Sequence, residues 1–316
     1  MKIVVTGAAG FIGSHLCETL LNNPNYEVIG IDGLIREEIE QIRTRHLEKS
    51  FTNSRFTFIQ DNLANVKWEE LLADVDIVYH LAGIPGVRNS WGADFANYVH
   101  NNIDITQQLL EACVGKNIKK FVFISTSSVY GDTVGMVSEN ALPSPLSPYG
   151  VTKLTGEQLC RVYWRNEGVP IVILRYFTVY GPRQRSDMAF HRFIRQLLLD
   201  QPITLYGDGL QSRDFTYVKD CVTATAAVTE AQDVIGETIN IGGKERSTII
   251  DVIVTLEKLA GKEANISRIG GLKGEPLHTW ANIAKAESLL GYQPRVSLEE
   301  GLQLEIDYMR RYLFNS

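Results

Sequence analysis

Short apolar segments alternate with amphipathic segments along the first half of the chain. The apolar segments are rich in Val, Ile and Phe, and most are apolar throughout, which is typical of strands buried on both faces. These strands are predicted at Lys2–Thr6, Glu27–Asp32, Phe56–Gln60, Ile77–Leu81, Lys120–Ser125 and Ile171–Tyr176. Helices are predicted between them at Ile12–Asn22, Trp68–Ala73, Phe95–Lys116 and Tyr149–Glu167. The alternation predicts an α/β fold with a doubly wound parallel sheet.

The pattern changes after Tyr176, where glycine turns divide the chain into shorter units. Helices are predicted there at Ala189–Asp200, Val218–Glu230, Thr248–Leu259 and Leu298–Arg311. A strand at Glu237–Gly242 resembles those of the first half and is expected to return to the same sheet. We predict a sheet domain over residues 1–177, to which residues 214–242 return, and a smaller C-terminal α/β domain over residues 178–316. The second domain should cover the carboxyl ends of the strands, where open α/β sheets bind ligands.

Composition and charge exclude several classes of protein. With 316 residues, 44% of them apolar, the chain can bury a sizeable core. A formal net charge of -6 without a basic stretch argues against a nucleic-acid partner. No apolar run approaches the roughly 20 residues of a membrane span, and no signal-peptide pattern is present, so a cytoplasmic protein without a membrane partner is predicted. The cysteines lack metal-ligand or disulfide spacing, which predicts buried free thiols and no metal site at Cys17, Cys113, Cys160 and Cys221.

A glycine-rich turn follows the first predicted strand and opens the first predicted helix. Gly7 permits the tight turn, Gly10 lets the backbone approach a pyrophosphate, and Gly13 lets the helix pack on the strand. Phe11 and Ile12 lie at the helix N-terminus, whose free N–H groups and positive dipole end favour phosphate. The pattern therefore predicts a Rossmann-like dinucleotide site.

An acidic residue, Asp32, ends the second predicted strand, roughly 20 residues after the glycine turn. A carboxylate at Asp32 accepts hydrogen bonds from the adenosine ribose and repels a 2′-phosphate, which favours NAD over NADP. Asp61, Asn62 and Leu63 follow another strand and are expected to flank the adenine, although Asp61 in a loop-capping role is an equal alternative. The charged segment Ile35–Ser50 reads as a solvated helix, with contact between Arg36 and the adenosine end of the cofactor as the alternative.

Tyr149 and Lys153 lie four residues apart on a predicted helix and so share one face. The lysine ammonium favours a phenolate, which predicts that the pKa of Tyr149 falls from about 10 toward working pH. Thr126 can supply a hydroxyl close to the same reacting oxygen. Beside a nicotinamide, these three groups would oxidise an alcohol.

Taken together, these motifs resemble the extended short-chain dehydrogenase/reductase family of sugar-nucleotide epimerases and dehydratases over nearly the whole chain. The matching segments are Gly7-x-x-Gly10-x-x-Gly13, Asp32, His80-Leu81-Ala82, Asn102, Thr126–Gly131, Tyr149-x-x-x-Lys153, Tyr180-Gly181-Pro182 and Arg213–Tyr217. The resemblance implies a tightly bound NAD that is reduced and reoxidised within one turnover. It also implies cofactor contacts from Leu81, Ala82 and Asn102, while His80 is expected to be structural.

The resemblance also assigns roles to the three reacting groups. Tyr149 would take the proton from the sugar 4-hydroxyl, Lys153 would hold the nicotinamide ribose and stabilise the phenolate, and Thr126 would hydrogen-bond the same oxygen. Ser127 and Ser128 stand where dehydratases of the family carry Asp-Glu, and hydroxyls are poor bases at neutral pH, so elimination lacks its catalyst. The glutamate typical of the decarboxylases is absent from this stretch as well.

Two further segments resemble the uronate 4-epimerase branch of the family. They are Gly86-Val87-Arg88 and Arg175–Ala189, with Thr178 in place of the asparagine of many relatives and Ser186 in place of the usual proline. A 4-keto uronate is a β-keto acid that loses carbon dioxide readily, so its carboxylate must be held by donors. Ser127, Ser128, Thr178 and Arg185 are expected to form this cradle, with Arg185 at the surface or on the diphosphate as the alternative.

The positive charge for a nucleotide diphosphate must be local because the chain is acidic overall. The resemblance implies a diphosphate contact from Arg213, and Arg88 and Arg192 are expected to add positive charge near the pocket. Lys273 stands where relatives often carry an arginine, which leaves the second phosphate contact open.

The leading prediction is a NAD-dependent 4-epimerase that acts on a UDP-hexuronic acid, converting UDP-glucuronate to UDP-galacturonate. Epimerisation of a neutral UDP-sugar is second, decarboxylation is third, and a binding protein without turnover belongs to a different class. A net oxidoreductase with free NADP is disfavoured by Asp32. A homodimer is expected because relatives pair through helices equivalent to Phe95–Lys116 and Tyr149–Glu167.

Overall fold

Seven parallel strands form the central sheet in the computed structural model, which describes residues 1–34, 40–271 and 274–314. The strand order is β10-β6-β5-β4-β1-β2-β3. The strands are β1 (Lys2–Thr6), β2 (Glu27–Asp32), β3 (Phe56–Gln60), β4 (Ile77–His80), β5 (Lys120–Thr126), β6 (Ile171–Tyr176) and β10 (Thr238–Ile241). The predicted α/β class and parallel, doubly wound sheet are confirmed.

Helices cover both faces of this sheet because the strands are apolar on both sides. In β1, Ile3 and Val5 pack into one core with Leu16, whereas Val4 packs into the opposite core with Leu109. The helices between the strands are α1 (Phe11–Leu21), α2 (Glu40–Phe51), α3 (Trp68–Leu71), α4 (Phe95–Val99), α5 (Ile105–Cys113) and α6 (Pro148–Glu167). All four cysteines are buried free thiols, as predicted.

Two predicted helices are interrupted. The segment expected to be one helix over Phe95–Lys116 contains a π-helical stretch at His100–Asp104 between α4 and α5, and it ends at Cys113. The hydrophobic period does not reveal such a change because the stretch disturbs the period only locally. The helix expected at Trp68–Ala73 becomes a 3₁₀ turn at Leu72–Asp74.

The charged segment is less solvated than predicted. His46, Leu47 and Ser50 are buried, so one face of α2 packs against the sheet domain. The density of charged residues predicted a solvated helix and concealed this buried face, which contains one leucine, Leu47, and polar residues. The alternative contact from Arg36 lies outside the described residues.

Two small sheets follow β6. One has the order β11-β9-β7, and the other pairs β12 with β8. The strands are β7 (Val179–Tyr180), β8 (Ile203–Tyr206), β9 (Ser212–Tyr217), β11 (Glu245–Thr248) and β12 (Ile266–Ile269). The helices are α7 (Ala189–Leu198), α8 (Val218–Ala227), α9 (Ile249–Ala260), α10 (Ala284–Leu290) and α11 (Leu298–Phe314).

The chain returns to the central sheet after β9. Helix α8 packs on α1, and β10 pairs in parallel with β6. Residues 214–217 are an exception to the expected return, because residues 214 and 215 pair with β11 and residues 216 and 217 pair with β7 in the small sheet. The division into domains at residue 177 stays a prediction.

One edge of the central sheet gathers the predicted site. Thr6, His80 and Thr126 end β1, β4 and β5, and the parallel pairing brings these carboxyl ends together. Over the described residues, no helix has the length and apolarity needed to cross a membrane.

Candidate active site

The glycine turn after β1 is packed too closely for side chains. Gly7 has φ of 71°, and a Cβ there would lie 2.9 Å from the Ala82 backbone nitrogen. A Cβ on Gly13 would overlap the Gly7 carbonyl oxygen. The strand-to-helix turn therefore requires glycine at both positions, and the loop after β4 lies directly against it.

The N-terminus of α1 suits a phosphate group. Gly10 is its N-cap and supplies no side-chain acceptor, so the first N–H groups, including those of Phe11 and Ile12, stay available to a ligand. Asp32 accepts a hydrogen bond from Ala9 N–H at 3.1 Å and another from Leu34 N–H at 3.0 Å. The carboxylate is thereby fixed at the end of β2 beside the glycine turn, an arrangement that fits the ribose and pyrophosphate of a dinucleotide.

The loop after β3 stabilises itself through short-range hydrogen bonds. Asn62 accepts from Ala64 N–H at 3.0 Å, Leu63 accepts from the indole N–H of Trp68 at 3.1 Å, and Asp61 accepts from the Asn65 amide at 3.5 Å. These contacts match the loop-capping alternative. An adenine contact from Asp61, Asn62 or Leu63 stays a prediction.

His80 is buried between β1 and the helix that carries Asn102. Thr6 Oγ1 accepts from Ala82 N–H at 3.1 Å and lies 2.8 Å from His80 Nδ1. Thr106 donates its hydroxyl to the Asn102 carbonyl and therefore accepts from His80 Nε2–H at 3.0 Å. Burial lowers the pKa of His80 to about 3, so the ring is neutral and acts as a structural link.

Asn102 lies in the π-helical stretch and joins the loop after β4 to α6. Its amide oxygen accepts from Ile84 N–H at 2.7 Å, and its amide nitrogen donates to Thr152 Oγ1 at 3.0 Å. Thr152 in turn donates to the Tyr149 carbonyl at 2.8 Å. Asn102 is thus tied to the first turn of the helix that carries the predicted base, a link that the sequence motif did not reveal.

Helix α6 begins where Ser147 caps it. The Ser147 hydroxyl accepts from Gly150 N–H at 3.1 Å, and Pro148 occupies the first turn, where no N–H is needed. A Cβ on Gly150 would lie 2.6 Å from the Ser128 carbonyl oxygen. The helix start is therefore packed on the turn after β5, which places Tyr149 beside the Thr126 segment.

Thr126 ends β5 and caps the 3₁₀ turn Ser127–Val129. Its hydroxyl oxygen accepts from Ser128 N–H at 3.2 Å, and the hydroxyl lies 3.3 Å from Ser128 Oγ. The Tyr149 ring packs edge-on against Tyr98 at 6.2 Å between ring centroids. Thr126, Ser128 and Tyr149 thus form one contiguous group.

The prediction that Lys153 lowers the pKa of Tyr149 is wrong for this structure. Burial raises the pKa of the phenol, and this effect exceeds the opposing influence of the Arg185 charge and of hydrogen bonding by Thr126. The Lys153 ammonium lies over the ring of Phe123, 4.2 Å from its centroid, and burial lowers the pKa of the lysine to about 8. The cation that acts on the phenol is Arg185, whose charge opposes the effect of burial. The helical spacing of Tyr149 and Lys153 does not dictate where the lysine ammonium points.

The residues expected to hold a carboxylate lie at adjacent strand ends. Thr126 pairs with Tyr176 across β5 and β6, so Ser127 and Thr178 follow these strands at the same edge. Arg185 is close enough to influence the Tyr149 phenol, and its guanidinium forms a bidentate ion pair with Asp187. The structure brings Ser128 and Arg185 toward Tyr149, whereas the complete cradle stays a prediction.

The other three predicted arginines gather around two residues that sequence reasoning missed. Arg88 and Arg192 lie over the ring of Tyr206, at 4.4 and 5.6 Å from its centroid. Glu275 pairs with Arg88 at 3.0 Å and with Arg213 at 3.6 Å. The structure thus brings Arg88, Arg192 and Arg213 into one cluster, and their contact with a diphosphate stays a prediction. Lys273 lies outside the described residues.

The comparisons with known proteins agree with this geometry. Residues 3–242 match the NAD dependent epimerase/dehydratase family, and the chain belongs to that family. The family predicted from the motifs is therefore confirmed.

Two relatives and one solved structure cover almost the whole chain. A protein of Bacillus subtilis (strain 168), called an uncharacterized UDP-glucose epimerase, YtcB, is 54% identical over 98% of both chains. The UDP-glucuronate 4-epimerase of Thermodesulfobacterium geofontis (strain OPF15) is 36% identical over 97% of this chain and 95% of its own. The crystal structure of UDP-glucuronic acid 4-epimerase from Bacillus cereus in complex with UDP-glucuronic acid and NAD is 57% identical, with a TM-score of 0.97 over 99% of this chain and 100% of that chain.

Proposed function

We propose that this protein is a NAD-dependent 4-epimerase that interconverts UDP-glucuronate and UDP-galacturonate through a 4-keto sugar. The observation that carries the proposal is the grouping of Thr126, Ser128 and Tyr149 at the sheet edge that also carries the glycine turn, in a chain 57% identical to an enzyme crystallised with UDP-glucuronic acid and NAD. The turn after β5 supports epimerisation over elimination, because it offers hydroxyls where a dehydratase needs acids.

In this proposal the chain binds NAD along the glycine turn, with Asp32 on the adenosine ribose and the N-terminus of α1 on the pyrophosphate. Leu81, Ala82 and Asn102 line the cofactor, and Lys153 holds the nicotinamide ribose. When bound, NAD would supply the hydride acceptor for oxidation of the sugar at C4 and the hydride donor for reduction on the opposite face. Tyr149 takes the 4-hydroxyl proton and gives it back, while Thr126 hydrogen-bonds the same oxygen.

The remaining predicted residues bind the substrate. The uronate carboxylate is held by Ser127, Ser128, Thr178 and Arg185. These donors prevent decarboxylation of the 4-keto acid while the sugar rotates in the site. Arg88, Arg192 and Arg213 neutralise the diphosphate.

Epimerisation of a neutral UDP-sugar is the second candidate. The observation that favours it is the name of the Bacillus subtilis relative, a UDP-glucose epimerase. Arg185 favours the uronate. Its guanidinium forms bidentate pairs with a carboxylate, and a 6-hydroxyl group cannot form such a pair.

The test is to incubate the purified protein, without added NAD, with UDP-glucuronate or UDP-glucose and follow the products by NMR. UDP-galacturonate without carbon dioxide release supports the proposal, and Tyr149→Phe should reduce its formation by about 10³-fold or more. Conversion of UDP-glucose alone would select the second candidate. Release of carbon dioxide, or a need for stoichiometric added NAD, would contradict the epimerase cycle.

The expected assembly is a cytoplasmic homodimer paired through α4, α5 and α6. Phe95, Val151 and Val162 are exposed on α4 and α6, which supports an apolar contact there. Light scattering of the purified protein would give its mass, and Val151→Glu with Val162→Glu should convert the dimer to a monomer. A monomeric wild-type protein would contradict this assembly.

A further inference from the structure

A buried ion pair lies behind the catalytic edge of the sheet. Glu157 on α6 is fully buried, and Arg175 on β6 is nearly so. The guanidinium donates to both carboxylate oxygens, at 2.9 Å from Nε and 2.6 Å from Nη2. Ser125, directly before Thr126, donates its hydroxyl to the same carboxylate at 2.5 Å. The carboxylate is therefore fixed from two strands at once.

This pair is costly to bury, so its position calls for a physical explanation. Removing two charges from water is only partly offset by their mutual attraction, and apolar replacements of such pairs are often as stable. Here the guanidinium lies over the Tyr130 ring, and among the described residues its buried Nη1 has no hydrogen-bond partner, which adds to the cost. The cost suggests that the carboxylate serves a neighbour and not only the packing of β6.

The neighbour is Lys153, one helical turn before Glu157. Tyr149, Lys153 and Glu157 are spaced by four residues and share one face of α6. The ammonium of Lys153 lies on the Phe123 ring, and within the described parts of the chain no carboxylate pairs with it directly. Burial lowers the pKa of Lys153, and Cys160 and Glu157 oppose this effect.

The other groups that face Lys153 do not carry a negative charge at working pH. Burial raises the pKa of the Cys160 thiol, which therefore stays neutral, and His80 on β4 is neutral as well. Arg175 on β6 carries a positive charge on the far side of Glu157, and the Arg185 charge acts on Tyr149. Glu157 is the anion that remains.

We propose that Glu157 is a positioning residue for Lys153, whose ammonium it stabilises from one helical turn away while Arg175 and Ser125 hold its carboxylate in place. This role rests on the proposed function, in which Lys153 must stay charged to hold the nicotinamide ribose. The ion pair then sets the pH at which the catalytic lysine loses its proton.

The test compares Glu157→Gln with Glu157→Asp, which keeps the charge. The holoenzyme is used in two measurements: the alkaline limb of kcat for UDP-glucuronate, and the 13Cε chemical shift of Lys153 against pH, assigned with Lys153→Met. In Glu157→Gln both midpoints should move to lower pH by roughly two units, as expected for a unit charge about 6 Å away at an effective dielectric constant near 20. Glu157→Asp should stay within a few tenths of the wild type.

Two further variants separate electrostatics from folding. Glu157→Gln leaves the Arg175 charge buried and unpaired, so the protein should lose much of its stability. Combining it with Arg175→Gln removes both charges, and the midpoints should still move down, by less than in the single variant. Glu167→Gln removes an exposed charge from the same helix and should leave both midpoints unchanged.

A midpoint that stays at the wild-type pH in both Glu157→Gln variants, with only stability reduced, would overturn the positioning role and leave a structural pair. The chemical-shift titration does not depend on which sugar is turned over. A failed epimerase assay with a shifted lysine titration would therefore reject the proposed function and retain the coupling between Glu157 and Lys153.

Discussion

Arg185 and Asp187 form a bidentate ion pair, in which Nε and Nη2 of the guanidinium each lie 2.9 Å from one oxygen of the Asp187 carboxylate. The pair lies near enough to Tyr149 for the Arg185 charge to lower the pKa of the phenol. A uronate carboxylate has the shape and charge of the Asp187 carboxylate. A uronic acid would therefore have to take the place of Asp187 on this fork.

Replacing Arg185 should remove the preference for a uronic acid. In Arg185→Ala, kcat/KM for UDP-glucuronate should fall by about 30- to 100-fold, the value of a charged hydrogen-bond pair, because the substrate carboxylate loses its partner. Any remaining turnover of UDP-glucose should change less than about threefold. Steady-state kinetics on both substrates measures the split, with the exposed Arg195→Ala as the matched control.

An equal loss on both substrates would place Arg185 on the shared UDP moiety or on Tyr149 itself. That result would support the alternative in which the arginine binds the diphosphate.

The Thr126 hydroxyl should set the acid limit of activity. Hydrogen bonding by Thr126 opposes the rise that burial causes in the pKa of Tyr149. Thr126→Val removes this stabilisation of the phenolate, so the pKa of Tyr149 rises and the acid limb of kcat moves to higher pH. The loss of activity should therefore be larger at pH 6.5 than at pH 9, whereas Thr126→Ser should keep the wild-type profile. A uniform loss at all pH values would show that Thr126 acts by packing.

The central sheet was predictable because its strands are buried on both faces, and such strands leave a continuous apolar signal in the sequence. The five short strands of the two small sheets left no such signal. In β12, three of four residues are exposed, and its register is fixed by pairing with β8, more than fifty residues away. Long-range pairing of this kind is set by tertiary contacts and not by local pattern.

The candidate site was predictable only at residues that belong to a sequence motif with a known role. Asp32 lies at the glycine turn and Thr126 lies beside Tyr149, as these motifs predict. Tyr206 and Glu275 were missed because their arginine contacts span large separations, 187 residues between Arg88 and Glu275. The direction of the Lys153 ammonium was also unpredictable, since side-chain torsions depend on neighbours such as Phe123.

His80 should make the protein more stable at neutral pH than in acid. Its folded pKa of about 3 lies below the unfolded value of about 6.5, so the unfolded chain binds one more proton between these values. The contribution of His80 to the free energy of unfolding is then fully present above about pH 6.5. It decreases by about 1.4 kcal/mol per pH unit as the pH falls toward 3. Urea unfolding at pH 7.5, 5.5 and 4.5 measures this slope.

The variant His80→Gln isolates that contribution, because glutamine can still bond Thr6 and Thr106 without titrating. Its stability deficit relative to the wild type should be largest at pH 7.5 and should shrink in acid. The exposed His100→Gln is the control and should run parallel to the wild type. Parallel curves for His80→Gln and wild type would show that the buried ring does not contribute to the pH dependence.

Gly156 allows the Phe123 ring to lie under Lys153, and this contact gives the last prediction. A Cβ at position 156 would lie 2.5 Å from Phe123 Cζ, so Gly156→Ala must displace the ring. Helix propensity alone would make this substitution stabilising by about 0.5–1 kcal/mol, whereas overpacking should make it destabilising by about 1–3 kcal/mol. Thermal unfolding of Gly156→Ala shows whether the change in stability is positive or negative.

Adding Phe123→Leu should restore much of the stability by making room for the methyl group, but turnover should stay low because the ring that supports the Lys153 ammonium is gone. If the double variant regained both stability and turnover, the ring would be a packing element with no part in placing the lysine.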